Sequence, residues 1–205
     1  MTNNLRPEKF DDLIGQEEII RNLTISLKSA MVRGDVLPHC LFYGGAGLGK
    51  TTIARALANE LGVSIEIANG ASIATNKDIL PYLMKMQRGS ILFIDEIHRF
   101  SKSQQDSLLG AVEKDIVIPA TKNSQGETVS IDLPKFCLVG ATTEMGELVQ
   151  PFLDRFKLKH FMRFYRPEEL LEMLKVNANK LNVDISDSGL EVLSKVSRGT
   201  PRTAN

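Results

Sequence analysis

The sequence of 205 residues contains only two cysteines, carries no net charge and has no long apolar run. Cys40 and Cys137 both lie in apolar, strand-like segments, so we expect core thiols of a reducing compartment rather than a disulfide framework. The 25 basic and 25 acidic residues cancel. Bulk charge therefore gives no sign of nucleic-acid binding, and any DNA contact must be local or belong to a partner.

The chain also lacks the signals of a membrane, secreted or zinc-binding protein. No apolar run reaches the roughly 18–20 residues that are needed to span a bilayer. Residues 1–7 lack the basic and then apolar pattern of a signal peptide. The histidines have no metal-ligand spacing with one another or with the cysteines. We therefore predict a cytoplasmic protein with no membrane partner and no zinc site.

Strand-like apolar runs alternate with helical patterns along most of the chain. The predicted strands are 40–43, 64–68, 91–94, 136–140 and 160–164, and the predicted helices lie near 16–31, 50–61, 78–87 and 102–113. This alternation predicts an α/β fold with a mainly parallel sheet. Two of the runs, 91–94 and 136–139, are continuously apolar, which is typical of central strands covered on both faces.

Two later segments depart from this alternation. The β-type runs 116–118 and 128–133 enclose a polar turn and predict an inserted hairpin, either a solvated surface hairpin or a contact arm. From about residue 166 the pattern is helical. Helices are expected to begin at Pro167, at Ser186 and at Thr200, and the last of them is incomplete at the chain end.

Residues 44–51 read Gly-Gly-Ala-Gly-Leu-Gly-Lys-Thr and fit the phosphate-loop pattern G-x-x-x-x-G-K-[ST]. The glycines let backbone N–H groups point inward, and the following helix adds its N-terminus to this anion cradle. In such a loop Lys50 reaches the β- and γ-phosphates and the Thr51 hydroxyl ligates Mg²⁺. The alternative is a chance Gly-rich turn, but the flanking strand and helix supply the context that the motif requires.

Two acids follow the apolar run 91–94. At the carboxyl edge of a sheet, Asp95 is placed to hold Mg²⁺ through water, and Glu96 to orient and polarise an attacking water. The alternative is a strand-end turn with two solvated carboxylates. Similarly, Ala141-Thr142-Thr143 ends another buried strand, where a hydroxyl either contacts a γ-phosphate or lytic water or belongs only to a strand cap.

Two arginines are candidates for stabilising a transferring phosphoryl group. Arg155 lies in Asp-Arg-Phe and can act from a neighbouring subunit, or it is a surface residue paired with Asp154. Arg202 lies in Gly-Thr-Pro-Arg and can couple the helical segment to the nucleotide, or it is a solvated helix residue.

Together these segments resemble the AAA+ ATPases and, within them, the RuvB family of Holliday-junction branch-migration motors. The similarity covers essentially the whole chain. The matching segments, in order, are Leu5-Arg6-Pro7, residues 13–16, the phosphate loop, residues 93–99, residues 131–134, residues 139–143, Asp154-Arg155-Phe156, Phe164-Tyr165 and residues 198–202.

The resemblance implies a role for each matching position. Nucleotide contacts are implied for Leu5, Arg6, Gly47, Gly49, Lys50, Thr51, Thr52, Tyr165 and Arg202. Catalytic roles are implied for Lys50, Asp95 and Glu96 of Walker B, Thr143 as sensor 1, Arg155 as an arginine finger acting in trans, and Arg202 as sensor 2. Thr51 and Asp95 are the implied Mg²⁺ positions, and ATP and Mg²⁺ are the implied cofactors.

The implied architecture is an AAA+ P-loop ATPase core, a parallel five-stranded sheet flanked by helices, at 1–165. It carries the hairpin insertion 115–133 and is followed by an incomplete helical lid at 166–205, without the family's winged-helix domain. The implied function is an ATP-hydrolysing DNA motor subunit that drives Holliday-junction branch migration in recombination and repair. It would form a homo-oligomeric ring, expected to be a hexamer, and the hairpin would grip a RuvA-like partner. The missing domain would make most contacts with junction DNA.

Two other functions share the same ATP site: a clamp-loader-like AAA+ ATPase, and a nucleotide-binding assembly factor without motor activity. The chain also departs from the family at the phosphate loop. Gly45 and Ala46 stand where the family usually has two prolines, so we expect a floppier loop and a lower nucleotide affinity. Lys157 replaces a family glycine beside the finger, and the hairpin tip 122–127 is polar.

Overall fold

A computed structural model describes residues 5–114, 116–117 and 131–204. Its strands are β1 (Cys40–Gly44), β2 (Ile65–Asn69), β3 (Ile91–Asp95), β4 (Ile116–Val117), β5 (Ile131–Asp132), β6 (Cys137–Thr142) and β7 (Leu158–Met162). Its helices are α1 (Glu17–Arg33), α2 (Lys50–Leu61), α3 (Leu80–Leu83), α4 (Lys102–Lys114), α5 (Gln150–Leu153), α6 (Pro167–Leu181), α7 (Asp187–Val196) and α8 (Pro201–Ala204).

Five of the strands form a parallel sheet in the order β2-β3-β6-β1-β7. Helices cover both faces, which confirms the predicted α/β fold. On one face Phe42 and Phe93 pack with the apolar side of α1 and α2. On the other face Leu41 and Leu92 pack with α4, through Leu108. Because successive side chains of a strand alternate between faces, strands buried on both sides read as continuous apolar runs.

The sheet order places β6 between β1 and β3. The phosphate loop after β1 and the acids at the end of β3 therefore flank the end of β6. The register, with Phe42 opposite Ala141 and Phe93 opposite Val139, brings all three strands to one edge at their carboxyl ends. This edge is where parallel α/β proteins bind ligands.

Two predicted elements are wrong in detail. The last strand is 158–162 instead of 160–164, because its pairing with β1 begins at Cys40–Leu158 and ends at Gly44–Met162. The helix predicted near 78–87 is only the four-residue α3. Its continuation is replaced by a turn in which the Ser90 hydroxyl accepts from the Gln87 N–H and donates to the Gln87 carbonyl.

The later segments follow the predicted pattern where they are described. β4 and β5 pair antiparallel, as the base of a hairpin requires, while the predicted tip at 122–127 lies outside the described residues. α6 begins at Pro167, and the Ser186 hydroxyl caps α7 by accepting from the Gly189 N–H. In the ranges searched, no helix is both long enough and apolar enough to cross a bilayer.

Candidate active site

A cleft of about 720 Å³ lies over the carboxyl edge of the sheet. Its walls come from the N-terminal segment, the phosphate loop, the ends of β3 and β6, and the helices after β7. Every predicted site residue except Arg155 lines it: Leu5, Arg6, Gly47, Gly49, Lys50, Thr51, Thr52, Asp95, Glu96, Thr143, Tyr165 and Arg202. The structure thus brings together segments that are far apart in the sequence.

The phosphate loop depends on close backbone approaches at its glycines. Gly44 has φ of 141°, and a Cβ built there would lie 2.5 Å from the Met162 carbonyl oxygen of β7. Gly47 has φ of 77°, and its built Cβ would lie 3.1 Å from Cβ of Arg202. A larger residue at either position would strain the backbone and push a neighbouring segment away from the loop.

Lys50 is the first residue of α2 and is buried. Its Nζ donates to the carbonyl oxygens of Gly44 and Gly45, at 2.8 and 2.6 Å. Burial lowers the pKa of Lys50, an effect that nearby Asp95 opposes and Arg202 reinforces. Two cations, Lys50 and Arg202, thus face the same loop, an arrangement suited to polyphosphate.

Asp95 and Thr51 form the part of the cleft suited to Mg²⁺. The Thr51 hydroxyl lies 3.5 Å from Oδ2 of Asp95, across the phosphate loop from the end of β3. The other Asp95 oxygen accepts from the Glu96 N–H at 3.0 Å. A hydroxyl and a carboxylate, together with water and phosphate oxygens, are the hard oxygen ligands that Mg²⁺ prefers, so these residues fit the ion.

Glu96 follows in the left-handed region, with φ of 51°. This conformation leaves its side chain half-exposed at the cleft, with one carboxylate oxygen 4.0 Å from Nε of Arg99. A carboxylate that is neither buried nor tightly paired can accept a hydrogen bond from a water placed in the cleft.

Thr143 lies in the cleft and is exposed, whereas its neighbour Thr142 is buried and bonded to His98. Sequence reasoning considered His98 only as a metal ligand and missed this contact. A further missed feature is the lid wall, where Met173, Asn177 and Lys180 line the cleft. Their i, i+4, i+7 spacing, which indicates one face of a helix, could have identified it.

Tyr165 and Arg202 connect the helical segment to the cleft. The Tyr165 N–H donates to the Gly199 carbonyl at 2.9 Å, and the Arg202 N–H reaches the Gly47 carbonyl at 3.4 Å. The Tyr165 ring packs on Gly15, and burial raises the pKa of its hydroxyl to about 12, so it stays protonated as a hydrogen-bond donor.

Arg155 is not among the described residues that line this cleft. Its guanidinium forms an ion pair with Glu113, near the end of α4, and its Nε is buried without a hydrogen-bond partner among the described residues. The alternative pairing with Asp154 is not found: the described ion pair of Arg155 is with Glu113, and the Asp154 carboxylate accepts from the Gln150 side chain. Arg155 therefore does not serve the cleft of its own chain in this structure.

The sheet order, the phosphate loop and the helical segment closing over it define a P-loop ATPase core with an AAA+ lid. The sequence matches the family described as "Holliday junction DNA helicase RuvB P-loop domain" over residues 5–162, and "RuvB AAA lid domain" over residues 165–205. The chain belongs to the RuvB family.

Individual relatives agree. The chain is 40% identical to the Holliday junction branch migration complex subunit RuvB of Rhodopirellula baltica, over 98% of this chain and 55% of that protein. It is 43% identical to the RuvB of Trichormus variabilis, over 98% of this chain and 56% of that protein. The solved structure titled Thermotoga maritima RuvB Holliday junction branch migration motor superposes with a TM-score of 0.86 at 40% identity, over 98% of this chain and 62% of that chain.

The chain therefore spans about half the length of the curated relatives it matches. Both parts of it, the P-loop domain and the lid, match RuvB descriptions. These matches therefore favour the RuvB family over a clamp-loader-like one.

Proposed function

We propose that this chain is the ATP-hydrolysing part of a RuvB-type motor subunit that drives branch migration of Holliday junctions. The observation that carries the proposal is the single cleft that joins the phosphate loop with Asp95 and Glu96, in a chain of the RuvB family. The reaction is the hydrolysis of ATP to ADP and phosphate. The division into an ATPase domain at 1–165 and a lid at 166–205 is part of the proposal.

The residues of the cleft divide the work of phosphoryl transfer. Lys50 and the loop N–H groups bind the β- and γ-phosphates, and Arg202 adds a second cation from the lid. Thr51 and Asp95 would hold Mg²⁺, which when bound neutralises charge on the phosphate oxygens. Glu96 accepts a hydrogen bond from the attacking water, and Thr143 donates its hydroxyl to the γ-phosphate or to that water.

We assign binding of the base and ribose of ATP to the N-terminal segment and the lid. Leu5 and Arg6 line the cleft together with Tyr165 and Met173 of α6, and a Cβ built on Gly49 of the loop would lie 3.8 Å from the Tyr165 hydroxyl. A base held between a core segment and a lid helix would tie nucleotide occupancy to lid position.

Arg155 supplies the last charge from another subunit. Its position outside the cleft of its own chain, with a partly exposed side chain, supports action on the site of a neighbour. We therefore propose a homo-oligomeric ring, a hexamer, in which each Arg155 completes the site of the next subunit. The name of the relatives, branch migration complex subunit, is consistent with such an assembly.

We assign the partner and DNA contacts to parts that project from the ATPase core. The hairpin 115–133, based on β4 and β5, would hold a RuvA-like junction-binding protein. Junction DNA would be contacted mainly by a winged-helix domain outside these 205 residues. The cellular location that suits this function is the cytoplasm.

The test is ATP turnover of the chain with and without junction DNA, over a range of protein concentrations. Lys50→Ala should abolish turnover, while Lys28→Ala, on the exposed face of α1, should leave it unchanged. Equal turnover in Lys50→Ala and the parent would show that the site is wrongly assigned. Nucleotide binding without hydrolysis at every concentration would instead favour the assembly factor without motor activity.

A further inference from the structure

His98 and Thr142 form a buried hydrogen bond between the ends of two neighbouring strands. Nδ1 of His98 lies 3.0 Å from the Thr142 hydroxyl, and both residues are buried, at 8% and 1% exposure. His98 lies in the short 3-10 turn that follows β3, and Thr142 is the last residue of β6. Among the described residues that line the cleft, Thr142 is present and His98 is not.

The hydrogen-bond partners determine which atoms donate. The Thr142 hydroxyl accepts from the Glu144 N–H at 2.9 Å. The other ring nitrogen of His98, Nε2, faces a carboxylate oxygen of Glu144 at 3.5 Å. Because a carboxylate only accepts, we assign the hydrogen of the neutral ring to Nε2, so that Nδ1 accepts from the Thr142 hydroxyl. Thr142 is thus held from both sides.

This bond spans a point where the backbone ladder of the two strands has ended. The described pairing of β3 with β6 runs from Ile91–Cys137 to Ile94–Gly140. Beyond it the two chains carry the residues that would act on a γ-phosphate. Glu96 lies two residues before His98, and Thr143 lies one residue after Thr142.

The backbone around Glu96 is itself confined. Its carbonyl accepts from the Arg99 N–H at 2.9 Å, and a Cβ built on Gly70 would lie 2.4 Å from that carbonyl oxygen. The turn that carries His98 therefore has little freedom to slide past β2. The His98–Thr142 bond therefore ties the end of β6 to a turn that is itself confined.

We propose that His98 is a positioning residue that acts through Thr142 and sets the Thr143 hydroxyl at a fixed distance from the Glu96 carboxylate. The proposal rests on the proposed function, in which those two groups act on the γ-phosphate and its attacking water. His98 is not among the described residues that line the cleft. Its effect is on geometry, and misplacement of catalytic groups by about 1 Å can cost roughly 100-fold in rate.

The first experiment compares kcat with nucleotide affinity in paired variants. His98→Ala should lower kcat about 10-fold or more while the Kd for ATP changes less than about 3-fold. Thr142→Val, which keeps the shape but removes the hydroxyl, should match it. His98→Asn, which keeps a polar atom near the position of Nδ1, and Thr142→Ser, which keeps the hydroxyl, should recover most of the parental rate.

A double-mutant cycle separates this bond from two independent effects. If His98 acts through Thr142, the double variant His98→Ala/Thr142→Val should be no slower than either single variant. Additive losses would show that the two side chains act independently, and would overturn the proposal.

A second measurement does not depend on turnover. Of the two nucleotides only ATP presents a γ-phosphate to the Thr143 hydroxyl, so the parent should prefer a non-hydrolysable ATP analogue to ADP, and His98→Ala should reduce that preference several-fold. The matched control is His39→Ala. Its Nδ1 accepts from the Leu138 N–H at 2.9 Å at the opposite end of β6, so His39→Ala should lower the melting temperature and leave kcat and the preference unchanged.

The outcomes distinguish this proposal from the proposed function. If Lys50→Ala abolishes turnover but His98→Ala retains both turnover and the γ-phosphate preference, the positioning role is wrong and the ATPase assignment stands. If the parent binds nucleotide without hydrolysing it, the preference for the ATP analogue over ADP is the deciding measurement: a reduced preference in His98→Ala supports the positioning role, and an unchanged one overturns it. Loss of affinity for ATP and ADP alike, in parallel with lowered melting temperature, would reduce His98 to a structural residue and overturn the proposal. If the parent binds neither nucleotide, both proposals fail.

Discussion

The Arg155 guanidinium is ion-paired with the Glu113 carboxylate of its own chain, near the end of α4. Glu113 lies two residues before the hairpin segment 115–133, so the pair joins the proposed finger to the base of the proposed partner-binding arm. To stabilise a phosphoryl group on a neighbouring subunit, Arg155 must exchange this carboxylate for phosphate oxygens.

Arg155→Ala should lower ATP turnover by about 1,000-fold or more, as for other arginine fingers, without weakening nucleotide binding to its own subunit. Binding should be unaffected because Arg155 does not line the nucleotide cleft of its own chain. Turnover and the Kd for ATP are the two measurements, with Arg33→Ala at the exposed end of α1 as the matched control.

Action in trans is tested by mixing Arg155→Ala with Glu96→Gln, each nearly inactive alone. Some interfaces of the mixture carry an intact Glu96 facing an intact Arg155, so part of the activity should return. A mixture no more active than the sum of its components would place Arg155 outside the reaction of a neighbour.

Glu169 anchors the start of α6 to the core through two arginines. Its carboxylate accepts from Arg163, at 2.6 and 2.8 Å, and from the side chain of Arg166 at 2.9 Å. Arg163 also reaches Glu17 of α1 at 3.0 Å. The Arg163 hydrogen bonds hold the pKa of Glu169 at about 2, below its ordinary value of 4.5.

The unfolded chain binds a proton at the Glu169 carboxyl more readily than the folded chain does. The contribution of Glu169 to the free energy of unfolding is therefore complete above about pH 4.5 and is lost as the pH falls toward about 2. Glu169→Gln should lower the free energy of unfolding at pH 7 by about 1–3 kcal/mol, the usual value of hydrogen bonds to charged groups. Denaturant unfolding between pH 7 and 2.5 measures both effects. The control is Glu168→Gln, the exposed acid of the same turn, which should behave as the parent does. An unchanged pH profile in Glu169→Gln would contradict the assignment.

His160 of β7 gives a separate pH dependence. Its ring is stacked on Phe42 at 5.8 Å, and its Nε2 is buried without a hydrogen-bond partner among the described residues. Burial lowers its pKa below the ordinary 6.5, against a smaller opposing effect of Glu18. The folded state therefore resists protonation, and stability should fall as the pH drops below about 6.5.

His160→Phe keeps a flat ring against Phe42 and removes the titration. Unfolding free energies measured from pH 7.5 to pH 5 should then vary less with pH in this variant than in the parent. Phe42 and the surrounding core remain in place in both proteins, so a steeper dependence in the variant would show that another group titrates there.

The phosphate loop offers a test of nucleotide affinity. Ala46 is exposed and its φ is not in the positive region, whereas a Cβ built on Gly45 would lie 3.3 Å from the Phe164 ring. Ala46→Pro should tighten ATP binding about 2- to 5-fold, because proline reduces the freedom of the loop by about 0.4–1 kcal/mol. Gly45→Pro should increase the affinity less, because the new proline ring would press on the Phe164 ring. Equal or weaker binding in Ala46→Pro, measured by titration calorimetry, would mean that loop freedom does not limit affinity.

The sequence predicts structure best where the pattern within one segment is sufficient to identify the element. The runs at β3 and β6 are apolar because both faces are covered, and the phosphate loop is a local motif, so both could be predicted. The exact span of β7 could not, because it depends on pairing with β1. The contacts of Arg155 with Glu113 and of His98 with Thr142 could not be predicted either, because each joins segments that are distant in the sequence and packed together only in the fold.

The hydrogen bond from the Tyr165 N–H to the Gly199 carbonyl closes the helical segment into a loop whose entrance and exit meet. Its two ends are therefore tied together beside the phosphate loop, where the Arg202 N–H reaches the Gly47 carbonyl. A change in the conformation of that loop would act on the helical segment at its entrance and at its exit together.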